Sequence, residues 1–536
     1  MKLVLLSVFS VCLFINAYSQ NRMLVFFKDK GDISITDEQR SEDFLAQFKL
    51  RSVERRAKYN IAFDSKDFPV NQNYQLLLNQ VGEVNSASKW LNAVSFTTEL
   101  SVSELLASYS FIDRVQLVNK TTSNATKKLE EFDEKAISYG ASQGQIEQLN
   151  LDCLHDLGYE GDGIYLGIID AGFNNMNTVA YFNTLFTENR VLDTYDFVAA
   201  STDVFGFSGH GTAVSSCIVA QETTPDEYYG TAVNVDVALY RSEDADLEYI
   251  EEEFNLVLAL ERCDSEGVDI ANISLGYVDF DDSSDDHPYS DMDGETTMAA
   301  IGVNTAASKG IAVVIAAGNG GPSTISTPCD ADSSLCVGAV NVAGDYAFFS
   351  SVGPSADGQV KPDVVATGED AWVVSEWGGV GAGNGTSFAS PIICGATVCL
   401  IQANPTVPPM DIFDAIRQSA DQYTAPDNLK GYGVPDFCVA HTILQSAKVS
   451  EEEIAGQILL FPNPANDFIT IQGIEGSSSA QVLVFNTTGQ IVLSESTMVS
   501  NGTTILGIQS LGTGVYIVEV NCNGNVVGRE RVLISK

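Results

Sequence analysis

Positive charge is scarce in this sequence. The 536 residues include 28 lysines and arginines against 71 aspartates and glutamates, which gives a formal net charge of −43. Proteins that bind nucleic acid need clustered cations to neutralise phosphates, so this composition argues against a nucleic-acid partner. A strongly acidic surface instead favours solubility and the attraction of cations.

Two other kinds of pattern are missing. Beyond the first 19 residues no apolar run is long enough to span a bilayer, so we expect no transmembrane segment. The ten cysteines form no Cys-x-x-Cys motif and no cluster with histidine, which argues against a metal site. We therefore assign no metal ligands and expect no cofactor.

The first residues have the features of an export signal. Lys2 precedes an apolar core at 3–15, and the small residues Ala17 and Ser19 fit the recognition of signal peptidase. We interpret residues 1–19 as a signal peptide that is removed, and expect the mature protein to be secreted or displayed at the cell surface.

Cysteine usage fits that oxidising destination. Eight cysteines lie between positions 151 and 450, enough for four disulfides whose pairing the sequence leaves open. Cys329 and Cys336 flank a short polar loop and are the expected local pair. Cys217, Cys394 and Cys399 lie on apolar helical runs, where buried thiols are the alternative.

Length and charge divide the chain into several domains. Residues 22–135 hold 16 basic and 17 acidic residues, whereas residues 151–450 hold 8 and 45. We divide the mature chain into an α/β unit at 20–118, a linker at 119–145, a larger domain at 146–446, a second linker at 447–456 and an all-β tail at 457–536.

The larger domain alternates strands and helices. That pattern predicts an α/β fold with a mostly parallel sheet covered by helices on both faces. Strands are predicted at 164–169, 233–240, 268–274 and 311–317, and helices at 211–220, 247–263, 297–309, 387–403 and 410–421.

Three residues of this domain have contexts that suit nucleophilic catalysis. Ser387 lies where a glycine-rich loop at 378–385 meets an apolar helix, and the free N–H groups and dipole of a helix N-terminus favour an oxyanion. A serine hydroxyl needs a base, and the base needs an orienting carboxylate. Of only four histidines, His210 alone stands in a Gly-His-Gly-Thr context, and Asp170 ends the buried strand at 164–169. A carboxylate at the carboxyl end of a parallel strand is a common active-site position.

Five ordered blocks resemble those of the subtilisin-like serine peptidases, the subtilase family. The Asp, His and Ser blocks are Ile-Ile-Asp-Ala-Gly at 168–172, His-Gly-Thr at 210–212 and Gly-Thr-Ser-Phe-Ala-Ser-Pro at 385–391, in the order of that family. Val-Val-Ile-Ala-Ala-Gly-Asn at 313–319 resembles the strand with the oxyanion-hole asparagine, and Asn-Ile-Ser-Leu-Gly at 272–276 resembles the strand that pairs with substrate. Five blocks in one order are far more specific than any single block.

The resemblance implies a secreted serine endopeptidase that acts on peptide or protein substrates without a cofactor, and we expect a monomer. It implies that Ser387 attacks the peptide carbonyl, that His210 transfers the proton and that Asp170 orients the imidazole. Asn319 is then the side-chain donor to the oxyanion.

The same resemblance assigns Ser274, Leu275 and Gly276 to the edge that binds an extended substrate. Two departures from the family pattern bear on substrate preference: residues 212–214 lack a second histidine, and Gly320 stands where an acidic residue is frequent. The competing interpretation is a non-catalytic surface binding protein on a peptidase scaffold. Esterase activity is a further alternative, because the same three groups attack esters.

The unit at 20–118 resembles the inhibitory propeptide of that family. Strands are predicted at 23–27, 89–97 and 112–118. Helices are predicted at 44–59 and 101–109. A permanent N-terminal binding module is the alternative. The polar segment at 119–145 is then expected to contain the maturation site.

One loop suits a cation. Residues 279–293 contain seven aspartates, and calcium prefers clustered oxygen ligands. The spacing is not that of an EF-hand, so a solvated acidic loop is the favoured interpretation and structural calcium the alternative.

The tail at 457–536 consists of short predicted strands with intervening turns, which is typical of a β-sandwich. It resembles the C-terminal sorting domain of the type IX secretion system of Bacteroidetes. The matching features are Phe-Pro-Asn-Pro at 461–464, the segments 486–492 and 511–517, and the basic end at 529–536. The resemblance implies the type IX secretion machinery as a partner, and an immunoglobulin-like binding appendage is the alternative.

Overall fold

The computed structural model describes residues 21–31, 42–119, 140–222, 228–452, 458–474, 478–486, 491–522 and 525–536. The predicted signal peptide at 1–19 lies outside these residues, as do most of the first predicted linker and parts of the second linker and of the segment 486–492. The chain divides into two compact units, Met1–His441 and Thr442–Lys536, and each is described by itself.

The N-terminal domain, which we define as residues 21–31 and 42–119, is an antiparallel sheet with short helices. Its strands are β1 (Asn21–Phe27), β2 (Gly82–Ser88), β3 (Ala93–Thr98) and β4 (Ile112–Val118), in the order β2-β3-β1-β4. Its helices are α1 (Glu42–Leu45), α2 (Leu50–Lys58), α3 (Gln72–Leu78) and α4 (Val102–Ser108). The prediction of one helix at 44–59 is wrong, because the chain turns at 46–49 between α1 and α2.

Both faces of β1 are buried, which explains its unbroken apolar run. Met23, Val25 and Phe27 pack into the core of the N-terminal domain. Leu24 and Phe26 point the other way and join a hydrophobic cluster of the larger domain. A strand that is covered on both faces carries apolar residues at successive positions. The N-terminal domain therefore docks on the larger domain through its sheet.

A seven-stranded parallel sheet forms the centre of the first unit, as predicted. Its strands are β5 (Tyr165–Asp170), β6 (Val191–Asp196), β9 (Asp236–Arg241), β10 (Ile270–Ile273), β11 (Ala312–Ala316), β12 (Leu335–Val340) and β13 (Val364–Thr367), in the order β13-β12-β11-β10-β5-β9-β6. Two antiparallel ribbons accompany it, β7 (Gln221–Glu222) with β8 (Tyr228–Tyr229) and β14 (Ala371–Val374) with β15 (Val380–Gly383). The four predicted strands correspond to β5, β9, β10 and β11. The sequence does not predict β6, β12 and β13, because periodicity is ambiguous in such short runs.

Helices flank this sheet. They are α5 (Gln143–Glu147), α6 (Asp152–Asp156), α7 (Asn183–Thr187), α8 (His210–Val219), α9 (Glu251–Glu266), α10 (Met298–Ser308), α11 (Thr386–Ala403) and α12 (Pro409–Ser419). A further helix, α13 (Phe437–Glu452), begins in the first unit and ends in the second. All five predicted helices of the larger domain are present. α11 packs across β10 to β13 and against α8, while α9 packs against α10.

One helix of the described residues, α11, is long and apolar enough to cross a membrane. Its residues are almost all buried against the sheet and α8. The apolar composition of α11 is therefore that of a core helix, which has the same length and character as a membrane span.

Two pairs of cysteines lie within disulfide distance: Cys153 with Cys438 and Cys329 with Cys336. The expected local pair is thus confirmed, and the second pair joins α6 to α13. Cys217 on α8 and Cys394 and Cys399 on α11 are buried, as the thiol alternative predicts. Burial raises the pKa of Cys394 and Cys399 far above the usual thiol value.

The acidic loop at 279–293 uses its carboxylates as hydrogen-bond acceptors. Asp286 accepts from the Phe280 N–H at 2.7 Å, and Asp282 accepts from the Ser284 N–H at 2.9 Å. Within the part of the chain that the structure describes, no three ligating side chains are grouped as a metal ion requires. Calcium binding stays an untested alternative.

His287 of this loop contacts Glu253, near the start of α9, through Nε2 and Oε1. Burial lowers the pKa of His287, but the hydrogen bond and the charge of Glu253 outweigh burial and raise that pKa above its usual 6.5. A histidine pKa raised by folding adds stability that is fully present below pH 6.5 and is lost as the pH rises through the raised pKa. We expect the thermal midpoint of the wild type to fall as the pH rises through the raised pKa of His287. The thermal midpoint of His287→Gln should not show the part of this fall that comes from His287.

Glu253→Gln removes the largest of the contributions that raise the pKa of His287, ahead of the charges of Asp291 and Asp330. It is therefore expected to reduce the fall of the thermal midpoint across the same rise in pH. Thermal midpoints of the three proteins between pH 5 and 9, the range that brackets an ordinary histidine, measure the effect. A His287→Gln protein with the full pH dependence of the wild type would contradict the assignment.

The second unit consists of two antiparallel sheets. One contains β16 (Leu459–Phe461), β17 (Phe468–Gln472) and β20 (Thr503–Gly507), and the other contains β18 (Ser479–Phe485), β19 (Ile491–Met498), β21 (Gly514–Cys522) and β22 (Asn525–Ile534). Residues of both sheets share one core, among them Ile469, Val482, Val518 and Val532. This arrangement confirms the predicted β-sandwich.

Candidate active site

Three of the predicted site residues come from neighbouring strands of the parallel sheet. Asp170 is the last residue of β5, Ser274 follows β10 directly, and Asn319 lies shortly after β11. β10 lies between β5 and β11. Because parallel strands end at the same edge of a sheet, these residues share one edge, which we call the carboxyl edge.

Asp170 and His210 are in contact. His210 is the first residue of α8, and its Nδ1 lies 2.8 Å from Oδ1 of Asp170. The carboxylate is fully buried, whereas the imidazole is 27% exposed. Gly211 permits this approach, because an added Cβ would lie 2.5 Å from the Gly172 carbonyl oxygen and 3.0 Å from Asp170 Cβ. The carboxylate therefore anchors one ring nitrogen while the ring stays partly accessible.

Ser387 is the second residue of α11, in the turn whose N–H groups have no partner within the helix. Its side chain is largely buried, and its Oγ donates to the Ser274 carbonyl oxygen at 3.4 Å. The ring of Phe388, the next residue, lies 6.3 Å from the His210 imidazole, centroid to centroid. The packing of α8 against α11 thus brings His210 and Ser387 to the same part of the carboxyl edge.

A buried hydrogen-bond chain ties Ser387 to β10. Ser390 Oγ donates to Asn272 Oδ1 at 2.9 Å, and Asn272 Nδ2 donates to Ser274 Oγ at 3.0 Å. Ser274 Oγ in turn donates to the Ser387 carbonyl oxygen at 3.0 Å. The sequence alone gives Asn272 and Ser390 no role. The available signal was two polar residues inside apolar runs, which have to find partners when they are buried.

Asn319 is held by its amide oxygen. Oδ1 accepts from the Thr386 N–H at 2.9 Å and from Thr386 Oγ1 at 3.0 Å. Thr386 Oγ1 also accepts from the Gly318 N–H at 3.1 Å. Asn319 is exposed, so its Nδ2 group is the end that remains to donate to a ligand. Thr386 is a third positioning residue to which the sequence alone gives no role.

The predicted substrate edge leaves the sheet at the active site. β10 pairs with β5 and β11 as far as Ile273. Ser274 and Leu275 are buried, and Gly276 is exposed. Backbone groups at such a strand end are suited to pairing with an extended peptide.

Buried acidic groups adjoin this edge. The N–H of Ser242, which follows β9, donates to the Asp170 carbonyl oxygen at 3.2 Å. The next residue, Glu243, is buried, as is Glu252 of α9. Burial first, and the charge of Glu243 second, raise the pKa of Glu252 well above its usual value. Loss of water and a neighbouring carboxylate both disfavour the ionised form of Glu252.

Comparison with known proteins gives three matches along the chain. Residues 161–433 match the Subtilase family, residues 22–133 match the peptidase S8 propeptide domain of Bacteroidota, and residues 459–535 match a secretion system C-terminal sorting domain. The first match covers the parallel-sheet domain, the second covers the N-terminal domain and the third covers the tail.

Individual relatives are more distant. The chain is 26% identical over 347 residues to subtilisin amylosacchariticus of Bacillus subtilis subsp. amylosacchariticus, a match that covers 63% of this chain and 78% of the relative. It is 28% identical over 326 residues to the membrane-bound transcription factor site-1 protease of Rattus norvegicus, covering 57% of this chain and 27% of that protein. Among solved structures, MycP1 with the N-terminal propeptide removed is 21% identical with a TM-score of 0.44, covering 56% of this chain and 96% of that one.

Proposed function

This chain belongs to the subtilase family of serine endopeptidases, and we propose that it hydrolyses peptide bonds with Ser387, His210 and Asp170. The observation that carries the proposal is the 2.8 Å contact between His210 and the buried Asp170. Ser387 lies at the same edge of the sheet, at the N-terminus of a helix that packs against the helix of His210. A hydroxyl, an imidazole and an orienting carboxylate are the groups that acyl transfer requires.

In the proposed reaction Ser387 Oγ attacks the carbonyl carbon of the scissile peptide. His210 Nε2 takes the hydroxyl proton and gives it to the leaving amine. Asp170 keeps the other ring proton on Nδ1 and stabilises the imidazolium. Water then attacks the acyl-enzyme with the same base, which releases the carboxylic acid product and restores the Ser387 hydroxyl.

Charge that develops on the carbonyl oxygen needs donors in place before the reaction. Asn319 Nδ2 and the Ser387 N–H are the proposed donors. Thr386 supports this role because it fixes the amide oxygen of Asn319 through two hydrogen bonds. Donors held in this way stabilise the transition state without reorganisation.

Replacing Asn319 by alanine is expected to lower kcat about 10²–10³-fold, the size of effect known for the corresponding change in subtilisin. KM is expected to stay within about threefold, since the lost hydrogen bond strengthens only as the oxyanion forms. Steady-state hydrolysis of a chromogenic peptide measures both constants.

Asn384→Ala is the matched control for that variant. Its amide oxygen accepts from the Asp370 N–H at 2.8 Å in a loop just ahead of α11, and we expect nearly wild-type kcat. If Asn319→Ala raised KM and left kcat unchanged, Asn319 would bind the substrate rather than the transition state.

The substrates proposed are extended peptides. The edge from Ser274 to Gly276 offers backbone partners that an ester substrate does not need. Ser274 also accepts from Ser387 Oγ through its carbonyl, so substrate pairing and the nucleophile are joined in one stretch of chain.

We propose that the N-terminal domain inhibits the peptidase until the chain is cut within 120–139. The match to a peptidase S8 propeptide domain supports this regulation. Glu261 of α9 accepts from Ser88 Oγ at 2.6 Å and from the Trp90 N–H at 2.9 Å. The N-terminal domain is therefore bound to the larger domain by directed contacts as well as by apolar packing.

The tail is a type IX sorting domain, and we propose that it delivers the peptidase to the medium or to the cell surface. Deletion of residues 457–536 is expected to leave the peptidase inside the cell, as measured by its amount in the medium and by its digestion with a protease added to intact cells. Full-length Ser387→Ala is the control, because it should be delivered although it cannot cleave. Normal release of the truncated chain would contradict the sorting role.

A further inference from the structure

Three arginines of α2 enter a recess at the edge of the parallel sheet opposite the active site. The recess lies where α9 leads into β10, where α10 leads into β11 and where the chain enters β5. Asp264, Asp269, Lys309 and Gly163 contribute the atoms that the arginines contact. Since β5 has six residues, this recess lies roughly 20 Å from the carboxyl edge. We call it the arginine recess.

Arg55 lies deepest in the arginine recess. Its side chain is 1% exposed, and Nη2 donates to Asp264 Oδ1 at 2.5 Å. Nε donates to the Lys309 carbonyl oxygen at 3.2 Å, and Nη1 donates to the Val268 carbonyl oxygen. All of these acceptors belong to the larger domain, so the guanidinium is fully enclosed by its binding partner.

Arg56 extends the buried cluster. It donates to Asp264 Oδ2 at 2.7 Å and, within its own domain, to Asp67 Oδ1 at 2.7 Å. Lys309 of the larger domain donates back to Asp67 Oδ2 at 3.2 Å. Cations and carboxylates thus alternate across the boundary between the two domains, and all of these side chains are buried.

Arg51 closes the outer side of the recess. It pairs with Asp269 and donates to the Gly163 carbonyl oxygen at 2.7 Å. The backbone of α2 comes so close to Gly267 that an added Cβ there would lie 2.6 Å from the Ser52 nitrogen. With a φ of +87°, Gly267 also has a backbone conformation that favours glycine.

We propose that the arginine recess keeps the N-terminal domain bound after residues 120–139 are cut, so that loss of this domain is controlled at the edge remote from the active site. The ligand of the recess is the basic helix α2 of the cut domain. This inference depends on one part of the proposed function, namely that the N-terminal domain is a propeptide that is cut from the larger domain.

Burial makes the ion pairs of Arg55 and Arg56 costlier to break than an exposed ion pair at the same domain boundary. Removing one partner of a buried ion pair leaves an uncompensated charge, which is far more costly than the loss of an exposed pair. Near the active-site end of α9, Arg22 pairs with Glu251 at 2.8 Å, but its side chain is 40% exposed. The buried ion pairs of the arginine recess are therefore expected to slow dissociation of the N-terminal domain more than the exposed Arg22 pair at the other end of the boundary.

The test uses the full-length Ser387→Ala chain with a recognition sequence for a site-specific protease placed within 121–135. After the cut, release of the N-terminal fragment is followed by size-exclusion chromatography over time. The variants are Arg55→Ala, Arg51→Ala and, as matched control in the same domain, Arg22→Ala. Circular dichroism before the cut establishes which variants fold.

We expect the cut reference chain to retain its N-terminal fragment for hours. Arg55→Ala is expected to release the fragment at least about 100-fold faster, Arg51→Ala about tenfold faster, and Arg22→Ala no more than about fivefold faster. If Arg55→Ala does not fold, Arg55→Lys against Arg22→Ala decides, because lysine keeps the charge but cannot make all the contacts of the buried guanidinium with Asp264, Val268 and Lys309.

Immediate release from the cut reference chain would overturn the proposal. So would folded Arg55→Ala and Arg51→Ala chains that release the fragment no faster than Arg22→Ala does. Because an added protease makes the cut in an inactive chain, these results do not depend on catalysis. A failure of the proposed function would appear separately, as peptide hydrolysis that does not need Ser387.

Discussion

Ser387→Ala is expected to lower kcat for peptide hydrolysis about a millionfold, the size of effect known for removal of the nucleophile from subtilisin. Without Oγ no acyl-enzyme forms, and only the oxyanion donors and substrate binding remain to assist water. Hydrolysis of a peptide substrate by the mature wild type and by the variant measures the loss. A fluorophosphonate probe is expected to label the wild type at Ser387 and to leave the variant unlabelled.

Thr397→Val is the matched control for this experiment. It removes a buried hydroxyl further along α11, where Thr397 Oγ1 donates to the Ile393 carbonyl oxygen at 2.7 Å, and is expected to lose about 1 kcal/mol of stability while keeping most of the activity. Hydrolysis by Ser387→Ala at the wild-type rate would remove the proposed mechanism. Absence of both activity and labelling in the mature wild type would instead favour a binding protein on a peptidase scaffold.

Asp170→Asn is expected to lower kcat about 10⁴-fold with little change of KM. The amide that replaces the carboxylate donates to His210 Nδ1, so the ring proton moves to Nε2. His210 then presents a donor to Ser387 where a base is required. The change is nearly isosteric, so we expect the fold to be retained although Asp170 Oδ1 contacts both the Ala171 N–H and His210.

Asp236→Asn is the control for Asp170→Asn, since Asp236 opens β9 at the other end of the sheet. It is expected to keep wild-type kcat. A pH–rate profile is the additional readout: the base must be unprotonated to accept the Ser387 proton, so activity should fall on the acidic side of the wild-type profile. Asp170→Asn should change this acidic limb because the imidazole has lost its anionic partner. An Asp170→Asn enzyme with wild-type kcat and profile would show that Asp170 acts only in the fold.

Much of the fold was predictable because its elements carry local signals. The buried strand β5 and the core helix α11 read clearly as apolar runs of the expected lengths. The prediction of a single helix at 44–59 was wrong, because the chain turns at 46–49. This turn depends on the packing of Phe44, Phe48 and Phe68 against one another. Periodicity along the chain does not encode such a cluster.

The sequence predicted roles for four residues of the candidate site but not for the residues that support them, although these lie in the same short motifs. Asp170, His210, Asn319 and Ser387 each stand in a recognisable block. Asn272, Ser390 and Thr386 became visible as positioning residues only through their hydrogen bonds. Nothing in the sequence indicates which buried polar side chains share a partner.

The sequence by itself determined the domain organisation of the chain. An acidic α/β domain with the residues of a serine peptidase follows a near-neutral domain and precedes a β-sandwich. Only the tertiary structure decided that Asp170 contacts His210, 40 residues away, and that Arg55 contacts Asp264, 209 residues away. The physical reason is that residue types and their spacing determine which segments form helices or strands and which of their faces are buried. A charged side chain contacts a partner that is distant in the sequence only when the packed sheet and helices bring the two backbone segments together.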